Sequence, residues 1–543
     1  MRAVVIGDVG WRDRYHLGDE AMTEVAIRQL RLRGTSDITL IAAEPDVSAQ
    51  MYDVSAVPRI GFSSRWDRPR ALRKLDRVTN KPSPTDSATT AAIAESDFVV
   101  IAGGGNLNSQ YFHHVLDRVA VARLAEEFGK PLFVSSQTVG PMVRDEDLRF
   151  IGEIVSRSRA FGAREVTTYA DLSAYGPTVV HTMDDGAALA AEAALKTPAR
   201  YIVGSFTPYP ATPDLTEDEY YAELAATLDR LSESLDADVL LIPNDGSFQG
   251  AYAEDQRVNQ RIIEESIGGR IRDCGLMMAR KAIAITEGAL LSISSRYHPT
   301  VFAPMVGVPA IGIALSYYTS ARMRGAMQNV GLQSFVAPAE TWLHGGVEQM
   351  AHDMVEHRAS FDQHMTPIRH TRRQSIDRWW DFIVESAAGG SPDFPSNLEE
   401  VERWVPGSAW DATNEAVTRV SDQLGRERVT AARMESKLAD ADVAGAEIRS
   451  ELEIRTAELG QARAALENRN AEVAEAEREL DRLRNALSAS QSQLEKSEQT
   501  AAKTVVERDI ARDALVQQSS RRSVRFADAM GRAFHRTRTL FRR

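Results

Sequence analysis

Nine short, unbroken apolar runs limit what this chain can fold into. Five lie between residues 2 and 164 ("RAVVIG", "DITLIAA", "DFVVIAGG", "PLFVSSQ", "AFGAR") and four between 201 and 314 ("YIVGSF", "DVLLIPN", "ALLSISS", "VPAIGIA"). A strand with one wet face alternates apolar with polar residues. These runs do not alternate, which implies burial on both faces. Between them stand helix-like stretches such as "DEAMTEVAIRQLRLRG" and "LDRVAVARLAEEFG". Strands alternating with helices build parallel sheets covered on both sides. Two such sets in series predict an α/β chain with two Rossmann-like domains, residues 1–192 and 198–345, and a cleft between them. The polar "NKPSPTDSATT" of residues 80–90 reads as an excursion within the first.

Residues 346–390, including "RRQSIDRWWDFIVES", are expected to be helical and to pack back on this body, with 391–410 as a linker. After Trp410 the composition shifts to Ala, Glu, Arg and Leu. One heptad position then runs through Val417, Leu424, Ala431, Leu438, Gly445, Leu452, Leu459, Leu466, Val473, Leu480, Leu487 and Leu494. A repeat sustained this long predicts a coiled coil over 411–520, on the order of 120 Å at the helical rise, and with it a homo-oligomer. Its companion position is weaker, with Glu427, Arg455 and Arg469 interrupting Val420, Ile448 and Leu483. The final stretch, 521–543, sets Phe526, Met530, Ala533, Thr537 and Phe541 on one helical face among eight arginines and one aspartate. Such a helix can lie on an anionic membrane surface, stay solvated, or pack on an acidic body.

The body is acidic. Net charge is −13, and the tail's surplus of seven positive charges leaves −20 for the rest, which argues against nucleic acid as a partner. A single cysteine, Cys274, leaves no disulfide framework and no multi-cysteine zinc site. No run of 18 uncharged apolar residues is present to span a bilayer, and Met1 leads into an apolar strand with no cleavage site behind it. The expected location is the cytoplasm.

Candidate chemistry sits where the apolar runs end. "GDVGWRDRYHLGDEAM" closes a strand and opens a helix at Gly18, Asp19 and Glu20, with Asp19 a candidate N-cap. Open α/β sheets place ligands at this edge. "VVIAGGGNLNSQY" sets Gly103, Gly104, Gly105 and Asn106 directly after a strand, where backbone N–H groups can approach an anion; it is not the dinucleotide fingerprint. "VSSQTVGP" brings Gln137 and Gly140 to the same edge. "GAREVTTYADL" presents Arg164, for which a structural salt bridge is an equal alternative to a binding role, with Thr167 and Thr168 as possible caps. The adjacent Asp184 and Asp185 read as a turn or cap. The strongest signal is "LLSISSRYHPTVFAPM". There Ser295, Arg296, Tyr297 and His298 lie between a buried strand and a helix opened by Pro299. Arginine offers a planar fork to carboxylate or phosphate, and histidine exchanges protons near neutral pH.

In order and spacing these segments resemble the polysaccharide pyruvyl transferase family over residues 1 to about 335. Gly18-Asp19-Glu20, Gly103 to Asn106, Gln137 with Gly140-Pro141, Ala163-Arg164, and Ser295 to His298 before "VPAIGI" match its motifs, and "SYYTSARMRGAMQNVGL" is similar to its continuation. The chain departs from the pattern in the longer "WRDRYH", in Tyr297 where the family has leucine, and in Pro304. The resemblance implies a glycosyltransferase-B-like fold. It also implies a pyruvyl group moved from phosphoenolpyruvate to hydroxyls of a sugar, in a cell-surface polysaccharide or its lipid-linked precursor, closing a ketal. On that reading His298 is the acid/base, and Arg164 and Arg296 clamp the donor. Asp19 or Glu20 orients or deprotonates the acceptor hydroxyl, while Tyr297, Ser295, the glycine loop with Asn106, and Gln137 line the cleft. No metal and no cofactor beyond the donor substrate is implied. Two rivals remain open at this stage. One is a nucleotide-sugar glycosyltransferase, with Glu287 gripping a ribose; the other is an inactive coiled-coil scaffold.

Overall fold

The structure, a computed structural model, describes residues 1–11, 14–192, 197–211, 215–250, 253–407, 409–444 and 458–485. The strands in chain order are β1 (Arg2–Ile6), β2 (Tyr15–His16), β3 (Asp37–Ala42), β4 (Ser55–Pro58), β5 (Phe98–Ile101), β6 (Gly104–Leu107), β7 (Leu132–Val139), β8 (Ser158–Ala163), β9 (Val179–His181), β10 (Tyr201–Ser205), β11 (Asp238–Leu241), β12 (Asp245–Gly246), β13 (Ile271–Asp273), β14 (Leu291–Ser294), β15 (Ala310–Ala314) and β16 (Val336–Pro338). All nine apolar runs contain a strand. In β5, β10 and β15 every residue is buried, and burying each large side chain contributes roughly 1.5–3 kcal/mol.

The first sheet runs β4-β3-β1-β5-β7-β8-β9, with β6 added beside β7, and the second runs β13-β11-β10-β14-β15-β16. Every pairing within them is parallel. Both follow the doubly wound order, in which the chain starts mid-sheet, builds one way and then turns back. The reversal falls between β1 and β5 in the first lobe and between β10 and β14 in the second. Helices diverge at such a point and leave a crevice beyond the strands' carboxyl ends. The glycine segment follows β5, and Arg296 follows β14, so each lobe offers its crevice to the site.

Backbone pairing and returning segments help to join the lobes. β2, within "WRDRYH", pairs antiparallel with β12 of the second lobe, Tyr15 against Gly246 and His16 against Asp245. Arg14 forks onto Asp245 at 2.9 and 2.5 Å. The helix Arg358–Ala387 returns to the first lobe, where Trp379 Nε1 donates to Ser135 Oγ (2.8 Å) and Trp380 Nε1 to Asp185 Oδ1 (3.0 Å). The segment after it then covers the edge strand β9: His181 N–H donates to Asn397 Oδ1, and Leu398 N–H to the His181 carbonyl.

The helix Ala409–Ala444 packs on the body. Its buried seam is Trp410, Asn414, Thr418 and Gly425, while Val417 and Leu424 of the heptad register are half-buried beside it. The first turns of the expected coil are therefore docked on the body. The chain divides into compact units of residues 1–466 and 467–543; the second is helical as far as it is described, to residue 485. The later coil positions and the basic tail 521–543 lie outside the described residues. Among those described, no helix is long and apolar enough to cross a membrane.

Candidate functional site

The helix Leu17–Leu32 starts the site. Its N-cap is His16, not Asp19; Asp19 stands in the first turn and takes His16 Nδ1 at 3.1 Å. Burial works against a charged His16, but Asp19 outweighs it and raises the imidazole's pKa. Gly18 is required by close approach, since a Cβ there would stand 1.7 Å from His298 Nδ1. Glu20 is engaged elsewhere, accepting from the Gly10 N–H (3.2 Å) and the Tyr52 hydroxyl. Burial pushes its carboxyl up to about 7.

From the second lobe comes the helix Tyr297–Met305, with Arg296 as its N-cap. His298 stands in its first turn, stacked on Phe302 at 5.6 Å between centroids and 6% exposed. Its Nε2 is buried without a hydrogen-bond partner, 4.0 Å from Asp184 Oδ2. Burial, with Arg164 nearby, holds its pKa well below the ordinary value. The ring is therefore neutral at pH 7.

Arg164 is wholly buried and charge-matched. Nε donates to Thr138 Oγ1 (2.7 Å) and Glu165 Oε1 (3.0 Å), and Nη1 to Asp184 Oδ2 (2.7 Å). Its guanidinium lies 4.3 Å over the Tyr297 ring, whose hydroxyl donates to Glu165 Oε1 at 3.0 Å. Asp184 also accepts from the Gly186 N–H (2.8 Å), so the expected cap is present and doubles as a partner of Arg164. Thr167 and Thr168 lie inside the helix Val166–Leu172, which has Glu165 as N-cap and no side-chain cap, and Thr168 donates to Glu165 Oε2 at 3.1 Å.

Arg296 departs from the anion-clamp expectation. Its guanidinium donates to Asp255 Oδ1, and Asp255 Oδ2 takes the backbone N–H groups of Asn244 (2.9 Å) and Asp245 (3.0 Å). A buried guanidinium needs such a partner; Asp255 claims one side of the Arg296 fork, while its Nε is buried without a hydrogen-bond partner. Ser295 is likewise occupied, accepting from the Thr207 N–H at 2.8 Å.

The available cation is one the motif reading did not single out. Arg322, on the helix Tyr317–Gln328, lies 3.9 Å over the Tyr318 ring and 5.3 Å from that of Tyr297. Among the described residues it makes no ion pair, and its Nε is buried without a partner. Gly105 is where the cations converge: a Cβ there would meet Arg322 Nη1 at 2.9 Å and Arg164 Nη2 at 3.0 Å. Tyr318 closes this corner by donating to the Gly105 carbonyl. The i, i+4 spacing of Tyr318 and Arg322 within "SYYTSARMRG" was the available signal.

Gly104, Gly105 and Asn106 lie in the short strand β6 rather than in a loop; Asn106 Nδ2 donates to Asp8 Oδ2 (2.9 Å), which His114 and Arg59 also approach. Gln137 donates to the Ala102 and Ser135 carbonyls, and its Oε1, like Asn106 Oδ1, is buried without a partner. Ser136 just before it takes φ 53°, a conformation costing about 1–2 kcal/mol outside glycine; the Asp185 N–H donates to its Oγ at 2.8 Å and holds it. Among the described residues the group with metal-ligand spacing is Asp353, Glu356 and His357, at the end of the outer helix Gly346–Glu356.

A protein-family model described as polysaccharide pyruvyl transferase matches residues 16–317. No curated protein matches in sequence. Among solved structures, one from Listeria monocytogenes assigned as a UDP-N-acetylglucosamine 2-epimerase aligns with a TM-score of 0.50 at 13% identity, over 74% of this chain and all of its own. The S. aureus MnaA–UDP co-structure aligns at 0.48, with 10% identity over 74% of this chain and all of its own. The Neisseria meningitidis UDP-GlcNAc 2-epimerase bound to UDP-GlcNAc aligns at 0.46, with 9% identity over 72% and all of its own. The first of these shows a shared fold, two parallel sheets in a glycosyltransferase-B-like arrangement.

Proposed function

The chain belongs to the polysaccharide pyruvyl transferase family, and we propose that it moves a pyruvyl group from phosphoenolpyruvate onto hydroxyls of a sugar in a cell-surface polysaccharide or its lipid-linked precursor. One observation carries this reading: an unmatched guanidinium, Arg322, shares the glycine segment with Arg164, close enough to His298 to depress its pKa. A small, doubly anionic donor suits that corner. Arg322 and Arg164 Nη2 take its carboxylate and phosphate and stabilise charge as it develops.

Ketal formation needs a proton on the enol carbon, attack of a sugar hydroxyl at the neighbouring carbon, departure of phosphate, and attack by a second hydroxyl. His298 is the proton carrier. Burial, with Arg164 and Arg322 adding to it, keeps it neutral, and an anionic donor offsets the two charges, so the donor's arrival raises the imidazole's affinity for a proton. Asp19, beside His16, is the residue placed to orient the acceptor hydroxyl; Glu20 is held by Tyr52 and Gly10. The nucleotide-sugar alternative has less support. Glu287 ends the helix Ala279–Glu287 exposed, at the entry to β14, the edge of the sheet opposite Arg296.

The leucine register of 411–520 supports a homo-oligomer, and the basic face of 521–543 supports peripheral contact with an anionic membrane from the cytoplasmic side. Sedimentation of the full chain, with and without anionic vesicles, tests both. Titration calorimetry with phosphoenolpyruvate and a panel of uridine and guanosine nucleotides tests the donor. Saturable binding of phosphoenolpyruvate alone is expected. Nucleotide binding without it would sink the proposal in favour of a glycosyltransferase, and silence from both would favour a scaffold.

A further inference from the structure

The family match stops at residue 317, and Tyr318 and Arg322 lie just beyond it. What holds their segment is the helix Ala409–Ala444. Gly425 lies so close to Tyr317 that a Cβ would stand 2.3 Å from the tyrosine's own Cβ. Three residues earlier, Asp422 accepts from Ser320 Oγ at 2.7 Å. Asn414, with no exposed surface, donates to the Ser334 and Val336 carbonyls (2.8 and 3.2 Å), and Trp410 packs on Phe335 at 5.2 Å. All of these contacts are with the second lobe.

Further along, the helix reaches the first lobe. Arg433 lies eleven residues after Asp422, three turns and roughly 16 Å along the same face. Its Nε stands 3.3 Å from Asp145 Oδ1, and Lys437 Nζ stands 2.9 Å from Asp145 Oδ2. Asp145 opens the helix Asp145–Arg157, and Lys437 lowers its carboxyl pKa.

We infer that this helix is a positioning element of the donor site: Gly425 and Asp422 fix the Tyr317–Arg322 segment on the second lobe, and Arg433 with Lys437 holds the first lobe closed through Asp145, so that Gly105 meets Tyr318 and Arg322. The inference rests on the donor reading above. Its anchors are unequal. The second-lobe side is buried, whereas the Asp145 contact is more than half exposed, and an exposed ion pair is weak and screened by salt. Closure therefore loosens with ionic strength, and whatever pulls on the helix acts on Arg322.

The test uses the full chain. Asp145→Lys is expected to weaken phosphoenolpyruvate binding about threefold at low salt, and adding Arg433→Glu with Lys437→Glu restores it. About 1 M salt erases the difference. Spin labels at Glu127→Cys and Glu233→Cys, in a Cys274→Ser background, report the spacing of the lobes: narrow in the parent, broadened by Asp145→Lys, narrow again in the charge swap. Affinity and spread both unchanged in Asp145→Lys would overturn the inference. So would a lowered Tm with unchanged affinity, the signature of a helix that only stabilises. If the parent binds no phosphoenolpyruvate, the donor reading falls by itself, and an unbroadened spread would still overturn the latch.

Discussion

Arg296 and Arg322 are both second-lobe arginines beside the cleft, yet only one has its charge answered. Arg296 sits at a helix N-cap and is bound to Asp255, itself pinned by two backbone N–H groups. Arg322 is held by ring faces and, among the described residues, makes no ion pair. Both states obey the same rule: a buried charge is costly unless paired. Arg296 meets it within the protein, whereas Arg322 meets it when an anion arrives. Being an arginine in a motif does not make a residue a ligand clamp; what else claims its fork decides that.

The largest test concerns the proton carrier, His298, which Arg322 shares with Arg164. His298→Gln should lower turnover by about 10² to 10⁴, read from phosphate release at saturating donor. Next, Arg296→Ala leaves Asp255 buried and unpaired and should cost about 3–5 kcal/mol of stability by chemical or thermal unfolding. Adding Asp255→Asn should return most of it, as a ligand clamp would not. Arg322→Ala should show the opposite pattern: donor affinity about 10- to 100-fold weaker, the worth of charged hydrogen bonds, with Tm little changed. A large Tm loss there would erase the distinction.

The smallest expected effect is in pH. His298 and His181 are held below their ordinary pKa by burial, His181 at about 4. Below about 6.5 the unfolded chain binds protons these rings refuse. Their stability contribution is thus complete above about 6.5 and lost as pH falls below it, for His181 down to about 4. Substituting His298→Gln should flatten part of that acid limb in a series of unfolding curves.

The strands that could be read from sequence were those buried on both faces, because continuous apolar runs leave few alternatives. Edge strands could not: β9, β13 and β16 are three residues each, too short for a pattern, and the two-residue β2–β12 ribbon exists only through its partner. The site was legible as a set of loops, since strand ends in doubly wound sheets collect ligands. The division of labour was not, because Asp255 lies 41 residues before Arg296 and reads locally as an acid in a helix's first turn. The heptad register was visible, but its first turns dock through Trp410, Asn414, Thr418 and Gly425, a seam of one large ring and small or polar groups that no hydrophobic repeat reveals.

The most direct measurement is titration calorimetry of phosphoenolpyruvate into the full chain and into Arg322→Ala, each in two buffers of different ionisation enthalpy near pH 7. Saturable binding with proton uptake by His298 is expected in the parent, and both are expected to be strongly reduced in Arg322→Ala. Equal affinity in the two proteins, or binding with no proton taken up, would contradict it.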